Sequence, residues 1–159
     1  MAKPRIEFKR PSGAPSVPAK ALQETARLLG LKRVPRSDLE LIDVTLKGFP
    51  GSALVALAAS LDVPMATVIA QLDIPARTAA RRLKPKATLT MAESERALRL
   101  ARILARATEV FEDRAAARQW LGATSIPLGG RRPFDLLATD VGTEMVLTEL
   151  GKIDHGFFA

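Results

Sequence analysis

The chain has 159 residues, 47% of them hydrophobic and 26% charged, enough to close one ordinary core or two small ones. With no cysteine and a single histidine, disulfides, thiolate metal sites, a cysteine nucleophile and a histidine cluster for zinc are excluded, and no cofactor is expected. The formal net charge of +7 is unevenly placed: residues 1–89 hold 15 Lys/Arg against 7 Asp/Glu, net +8, and residues 90–159 hold 9 against 10, net −1. A basic first part beside a neutral second part points to one surface for a polyanion and another for a different partner.

In chain order, residues 1–19 carry Pro4, Pro11, Pro15 and Pro18 with Gly13, a composition that predicts a flexible arm. The spacing of Leu22, Ala26 and Leu29 predicts a short helix over 21–29, closed by Gly30 as C-cap. Ser37-Asp38-Leu39-Glu40 reads as a capping box that opens a second helix with Leu39, Ile42 and Leu46 inward, stopped by Gly48-Phe49-Pro50-Gly51. Ser52 is expected to cap a third helix over 53–61.

The next stretch says nearly the same thing twice, Leu61-Asp62-Val63-Pro64 and then Leu72-Asp73-Ile74-Pro75. Proline is favoured in the first helical turn, and each preceding aspartate is expected to satisfy free N–H groups there, so each Asp-x-Pro starts a helix. Two short helices joined by a tight turn make a helix-turn-helix. Ile74, Ala79 and Leu83 are placed inward against Ile69 and Leu72. Arg77, Arg81 and Lys84 then fall in one outward row with Thr78 and Arg82 beside it, a candidate face for guanine edges and phosphates of double-stranded DNA. Asp73 stands where such turns commonly carry glycine, which predicts a turn of somewhat different shape.

Thr90-Met91-Ala92-Glu93 is a second capping box, opening a long helix to about Phe111 whose inward stripe is Ala97, Leu100, Ala101, Leu104, Thr108 and Phe111. Its row of Arg96, Arg99, Arg102 and Arg106 is expected to be a solvated face paired with Glu93, Glu95 and Glu109. Asp113 caps a short helix carrying Trp120, expected as a core anchor, and Leu121. Pro127 and Gly129-Gly130 break the chain, Pro133 to Leu137 restart it, and a last helix over about 141–150 ends at Gly151. The remaining residues, with Phe157 and Phe158, are too apolar for a free terminus.

From Ile74 onward, "IPARTAARRLK", "LTMAESERALRLARILARATEVFEDRAAARQWL" and "PLGGRRPFDLLATDVGTEMVLTELGKIDHG" resemble the Xre/MbcA/ParS antitoxins with their C-terminal toxin-binding domain. The most specific pieces are Leu128 to Arg131, Pro133 to Leu137, and the ending Gly151 to Gly156. The resemblance implies an antitoxin that blocks a RES-type, NAD-depleting toxin with its C-terminal part and represses its own operon with its N-terminal part. It implies a toxin-binding set of Arg131, Lys152, Ile153, Asp154, His155, Gly156, Phe157 and Phe158.

The expected architecture is therefore all-α: a flexible arm (1–19), a helix-turn-helix DNA-binding domain (20–89) and a small helical toxin-binding and neutralising domain (90–159). A homodimer is expected, because helix-turn-helix proteins bind paired half-sites through two-fold symmetry. The longest apolar runs, such as 53–61, fall short of the ~20 residues of a membrane span and no apolar signal segment opens the chain, so a cytoplasmic protein is expected. Catalysis is not expected: Asp135, Asp140 and Glu144 show no acid/base spacing, and helix capping accounts for the two aspartates. A stand-alone transcription regulator without a toxin shares the same helix-turn-helix.

Overall fold

A computed structural model describes residues 17–156. These form α1 (Ala19–Leu28), α2 (Asp38–Lys47), α3 (Ser52–Leu61), α4 (Met65–Gln71), α5 (Ala76–Arg82), α6 (Met91–Phe111), α7 (Arg114–Gly122), a 3₁₀ turn (Ile126–Leu128), α8 (Pro133–Leu136) and α9 (Asp140–Asp154). Pairing between extended segments among the described residues is limited to two isolated bridges, Pro50 with Thr88 and Ser125 with Arg131. Most of the expected arm, and both Phe157 and Phe158, lie outside the described residues.

Local chemistry sets the helix starts. Thr90 Oγ1 accepts from the Glu93 N–H at 3.1 Å while the Glu93 carboxylate accepts from the Thr90 N–H at 2.8 Å, closing the box that opens α6. At α2 only half of the expected box forms: Ser37 Oγ accepts from the Glu40 N–H at 3.2 Å, but Glu40 reaches one residue further back, to the Arg36 N–H at 2.7 Å. Asp113 caps α7 and Thr139 caps α9, so Asp140 is the first helical residue rather than the cap. Ser52 likewise begins α3 without a side-chain capping bond.

Helix ends explain the repeated Leu-Asp-x-Pro. Asp62 and Asp73 both adopt left-handed backbone, φ 55° and 53°, and act as helix stops rather than caps of the following helix. The N–H groups of Asp62 and Val63 reach back to the carbonyls of Ala59 and Ala58, and those of Asp73 and Ile74 to Ala70 and Ile69, the paired bonds of a Schellman ending. Gly30 ends α1 by the same device. Asp73 thus takes the conformation a glycine would, and the expected difference in turn shape is not found.

One apolar cluster runs from Leu28 to Leu150, with α6 through its middle. α1, α2, α3, α7 and α9 all pack on α6. Its buried stripe adds Ile103 and Ala107 to the expected Ala97, Leu100, Ala101 and Leu104. The face of α2 is reversed from expectation: Leu41 and Thr45 are buried, whereas Leu39, Ile42 and Leu46 are 74%, 51% and 57% exposed. α2 is apolar on both sides, and the side that meets α6 is the one tied down by Gly48-Phe49, where the Phe49 N–H donates to Ser94 Oγ at 2.9 Å. Leu83, expected inward, is 42% exposed just past the end of α5. α9 continues through Gly151 to Asp154, four residues past its expected end.

Candidate functional site

Two surfaces stand out. The first is α5. Ile74 and Ala79 are buried in the same apolar cluster as Val68 and Leu72, which fixes the inner side of α5. Arg96 of α6 donates from Nη1 to the Leu72 carbonyl at 3.1 Å, satisfying the end of α4 at the turn. Arg77 and Arg81 are exposed one turn apart on α5, with Thr78 half-buried beside them; Lys84, expected in the same helical row, is exposed but lies in the bend past the C-cap Leu83, because α5 ends at Arg82. Arg82 departs from the expected set. Its Nε and Nη2 donate to Glu93 Oε2 and Oε1 at 2.8 and 3.2 Å, and both side chains are largely buried. Hydrogen bonding to Glu93 raises the Arg82 pKa despite desolvation. Burial alone would push the Glu93 carboxyl up, but hydrogen bonds from Arg82 and the Thr90 N–H outweigh it and hold the group below the usual carboxylate range. Arg82 therefore locks the end of α5 to the start of α6 instead of facing outward. Gly51 completes the lock, since a Cβ there would overlap the Arg82 carbonyl.

The second surface lies on α9 and the loop before α8. Gly129 and Gly130, both at positive φ, let the chain fold back so that the Ser125 N–H reaches the Arg131 carbonyl at 3.0 Å, leaving the Arg131 side chain exposed. Lys152 is exposed, 3.5 Å from Glu149. Ile153 is half-buried. Asp154 is held by Arg106 Nη2 at 2.7 Å, and His155 Nδ1 lies 2.7 Å from the Gly151 carbonyl, so both stabilise the last turn of α9. Gly156 turns the chain at φ 73°. The arginine row of α6 is only partly the solvated face expected. Arg99 binds Glu95 and Asp140, and Arg106 binds Glu109 and Asp154, so the two hold opposite ends of α9 while Arg96 holds the α4 end. Burial lowers the Arg106 pKa, but the hydrogen bonds and charges of Asp154 and Glu109 outweigh it and leave the pKa raised.

Sequence reasoning missed the apolar part of this surface. Ile126 is 92% exposed and Val141 74%, with Met145 also open to solvent. Val141, Met145 and Lys152 border a shallow groove of about 310 Å³ with Pro127, Leu128 and Glu144. The signal was present only as Val141 and Met145 one turn apart, ahead of Thr148 and Lys152, and two apolar residues at helical spacing do not show whether they face the core or solvent.

Fold and surfaces together define a helix-turn-helix protein that carries a second helical binding module at its C-terminal end. Residues 40–102 match the family described as the antitoxin Xre-like helix-turn-helix domain, and residues 106–156 match the antitoxin Xre/MbcA/ParS C-terminal toxin-binding domain. The chain is 30% identical to an "Antitoxin Xre" of Yersinia enterocolitica over 75% of this chain and 81% of the relative. It is 33% identical to an "Antitoxin Xre" of Pseudomonas putida over 83% of each, and 30% identical to a "Prs ADP-ribosylating antitoxin" of Sphingobium sp. over 77% of this chain and 83% of the relative. The chain belongs to the Xre/MbcA/ParS antitoxin family.

Proposed function

We propose that this antitoxin neutralises a RES-type, NAD-depleting toxin by occupying its substrate cleft, and represses its own operon as a homodimer through α5, in the cytoplasm. The observation that carries the reading is the pairing, on one chain, of an open cationic recognition row with an open apolar patch inside the segment matched to a toxin-binding domain. Arg77 and Arg81 read base edges, Thr78 and Lys84 contact the backbone, and Arg82 positions the helix. The toxin contacts Ile126, Val141, Met145, Arg131 and the ending Lys152 to Phe158. Occupancy requires no catalytic group.

A second reading is favoured by the Sphingobium relative, whose name couples the antitoxin to ADP-ribosylation of Prs. The toxin here would then transfer ADP-ribose to a protein instead of emptying the NAD pool. Co-expression with the neighbouring toxin gene tests both. Rescue of growth by the wild-type chain supports neutralisation, and loss of cellular NAD or appearance of ADP-ribosylated protein in unprotected cells separates the two toxins. Absence of any toxicity or complex would leave the stand-alone regulator.

A further inference from the structure

α5 exposes four side chains, and they are of two kinds: Ala76 and Ala80, Arg77 and Arg81. The other three residues of the helix, Thr78, Ala79 and Arg82, are buried or half-buried. At about 100° per residue, Ala76, Ala80, Arg77 and Arg81 follow one another around the helix, so the outward face has an alanine flank and an arginine flank. Among the described residues no ion pair forms at Arg77 or Arg81, whereas Arg82 is held by Glu93. The two outward guanidinium groups therefore keep their donors for a ligand.

These residue types limit which bases the face can read. An arginine fork matches the N7 and O6 acceptors of guanine, and a small apolar side chain matches the 5-methyl of thymine. Adenine and cytosine are read through Asn, Gln, Asp or Glu, and α5 carries none of these. Spacing limits the order of the bases. Four residues of helix rise about 6 Å, close to two base-pair steps of about 3.4 Å, so with α5 along the major groove Arg77 and Arg81 reach two pairs with one pair between them. Ala80, about 4.5 Å beyond Arg77, lies nearest that middle pair. Its side chain is too short for a base edge and suits a group that projects into the groove. Resting on the DNA-binding reading of α5, we propose that the operator half-site presents two G·C pairs separated by one A·T pair, whose thymine methyl packs on Ala80.

The test starts from a duplex library randomised over two helical turns, enough for paired half-sites, retained by the full chain and sequenced. Enriched half-sites carry two guanines with a thymine on the pair between them. Replacing that thymine by deoxyuridine removes the methyl alone and weakens binding severalfold in gel-shift titrations at fixed salt. Ala80→Gly binds the thymine and uracil duplexes alike, and because that comparison is made on one protein, any effect of glycine on the helix cancels. 7-Deazaguanine at either guanine removes the N7 acceptor and costs the wild type about fivefold or more, an effect absent from Arg77→Ala at one guanine and from Arg81→Ala at the other. Uracil bound as well as thymine, or enriched sites without this guanine spacing, overturns the proposal while leaving α5 a DNA-binding element. A library from which nothing is retained removes the DNA-binding reading itself, and the proposal with it.

Discussion

Glu93 accepts hydrogen bonds from two directions, from its own helix start at Thr90 and from Arg82 at the end of the recognition helix. The carboxylate therefore does two jobs that a neutral amide does poorly. Glu93→Gln is expected to destabilise the fold by about 1.5–3 kcal/mol at pH 7, the scale of a hydrogen bond to a charged group. The folded-state pKa of Glu93 is depressed, so its contribution is fully present above the unfolded value of about 4.3 and is lost as pH falls through the folded value. Urea unfolding of the wild type and Glu93→Gln should thus show a gap at pH 7 that closes below about pH 4. An equal gap at pH 7 and pH 3 would contradict the charge as its source. Gly142 makes a different demand: a Cβ there would overlap the Leu136 carbonyl, because the start of α9 presses on the end of α8. Gly142→Ala should lower the melting temperature by several degrees and weaken toxin capture, measured by pull-down, through displacement of α9.

α5 and α9 carry their exposed groups some 60 residues apart in the sequence and on different helices, so their effects should separate. Arg77→Ala and Arg81→Ala are expected to cost ~1–3 kcal/mol each in operator discrimination, while Lys84→Ala lowers affinity evenly across sequences and reduces the salt slope by about one. Gel-shift titrations at two salt concentrations distinguish these patterns, and none of the three should affect toxin capture. Val141→Glu with Met145→Glu should do the reverse, abolishing capture while operator binding and the melt are kept, since both side chains are exposed. What the sequence made legible follows the same division. Caps at Thr90 and Asp113, the Gly30 stop and the outward Arg77 and Arg81 were readable because they depend on residues within one turn or one face. The role of Arg82 was not, because its partner lies 11 residues away on another helix. Nor was the orientation of α2, whose Leu39, Leu41, Ile42 and Leu46 leave both faces apolar until α6 selects one. The exposed patch on α9 was hidden for the same reason.

At the scale of the whole molecule, the two family matches meet inside α6, between residues 102 and 106, in the middle of an unbroken 21-residue helix. Contacts across that point are dense. Gln71 of α4 donates to the Phe134 carbonyl at 3.0 Å, Arg118 of α7 donates to the Ser60 carbonyl at 2.7 Å, and Arg114 of α7 pairs with Glu24 of α1. Together with the shared apolar cluster, they pack the helix-turn-helix half and the C-terminal half around one core, which predicts a single cooperative unfolding transition. Trp120, the sole tryptophan, lies in the second half with its ring 5.7 Å from that of Phe111, so its fluorescence reports that half alone, whereas far-ultraviolet circular dichroism reports every helix. Thermal and urea transitions followed by the two signals should coincide, with calorimetric and van't Hoff enthalpies equal. Glu93→Gln, in the first half, should shift the Trp120 transition as far as the dichroism transition. A tryptophan signal that stays at the wild-type midpoint in that variant would instead mark two halves that unfold independently, and α6 would then be a connector between them rather than the spine of a single core.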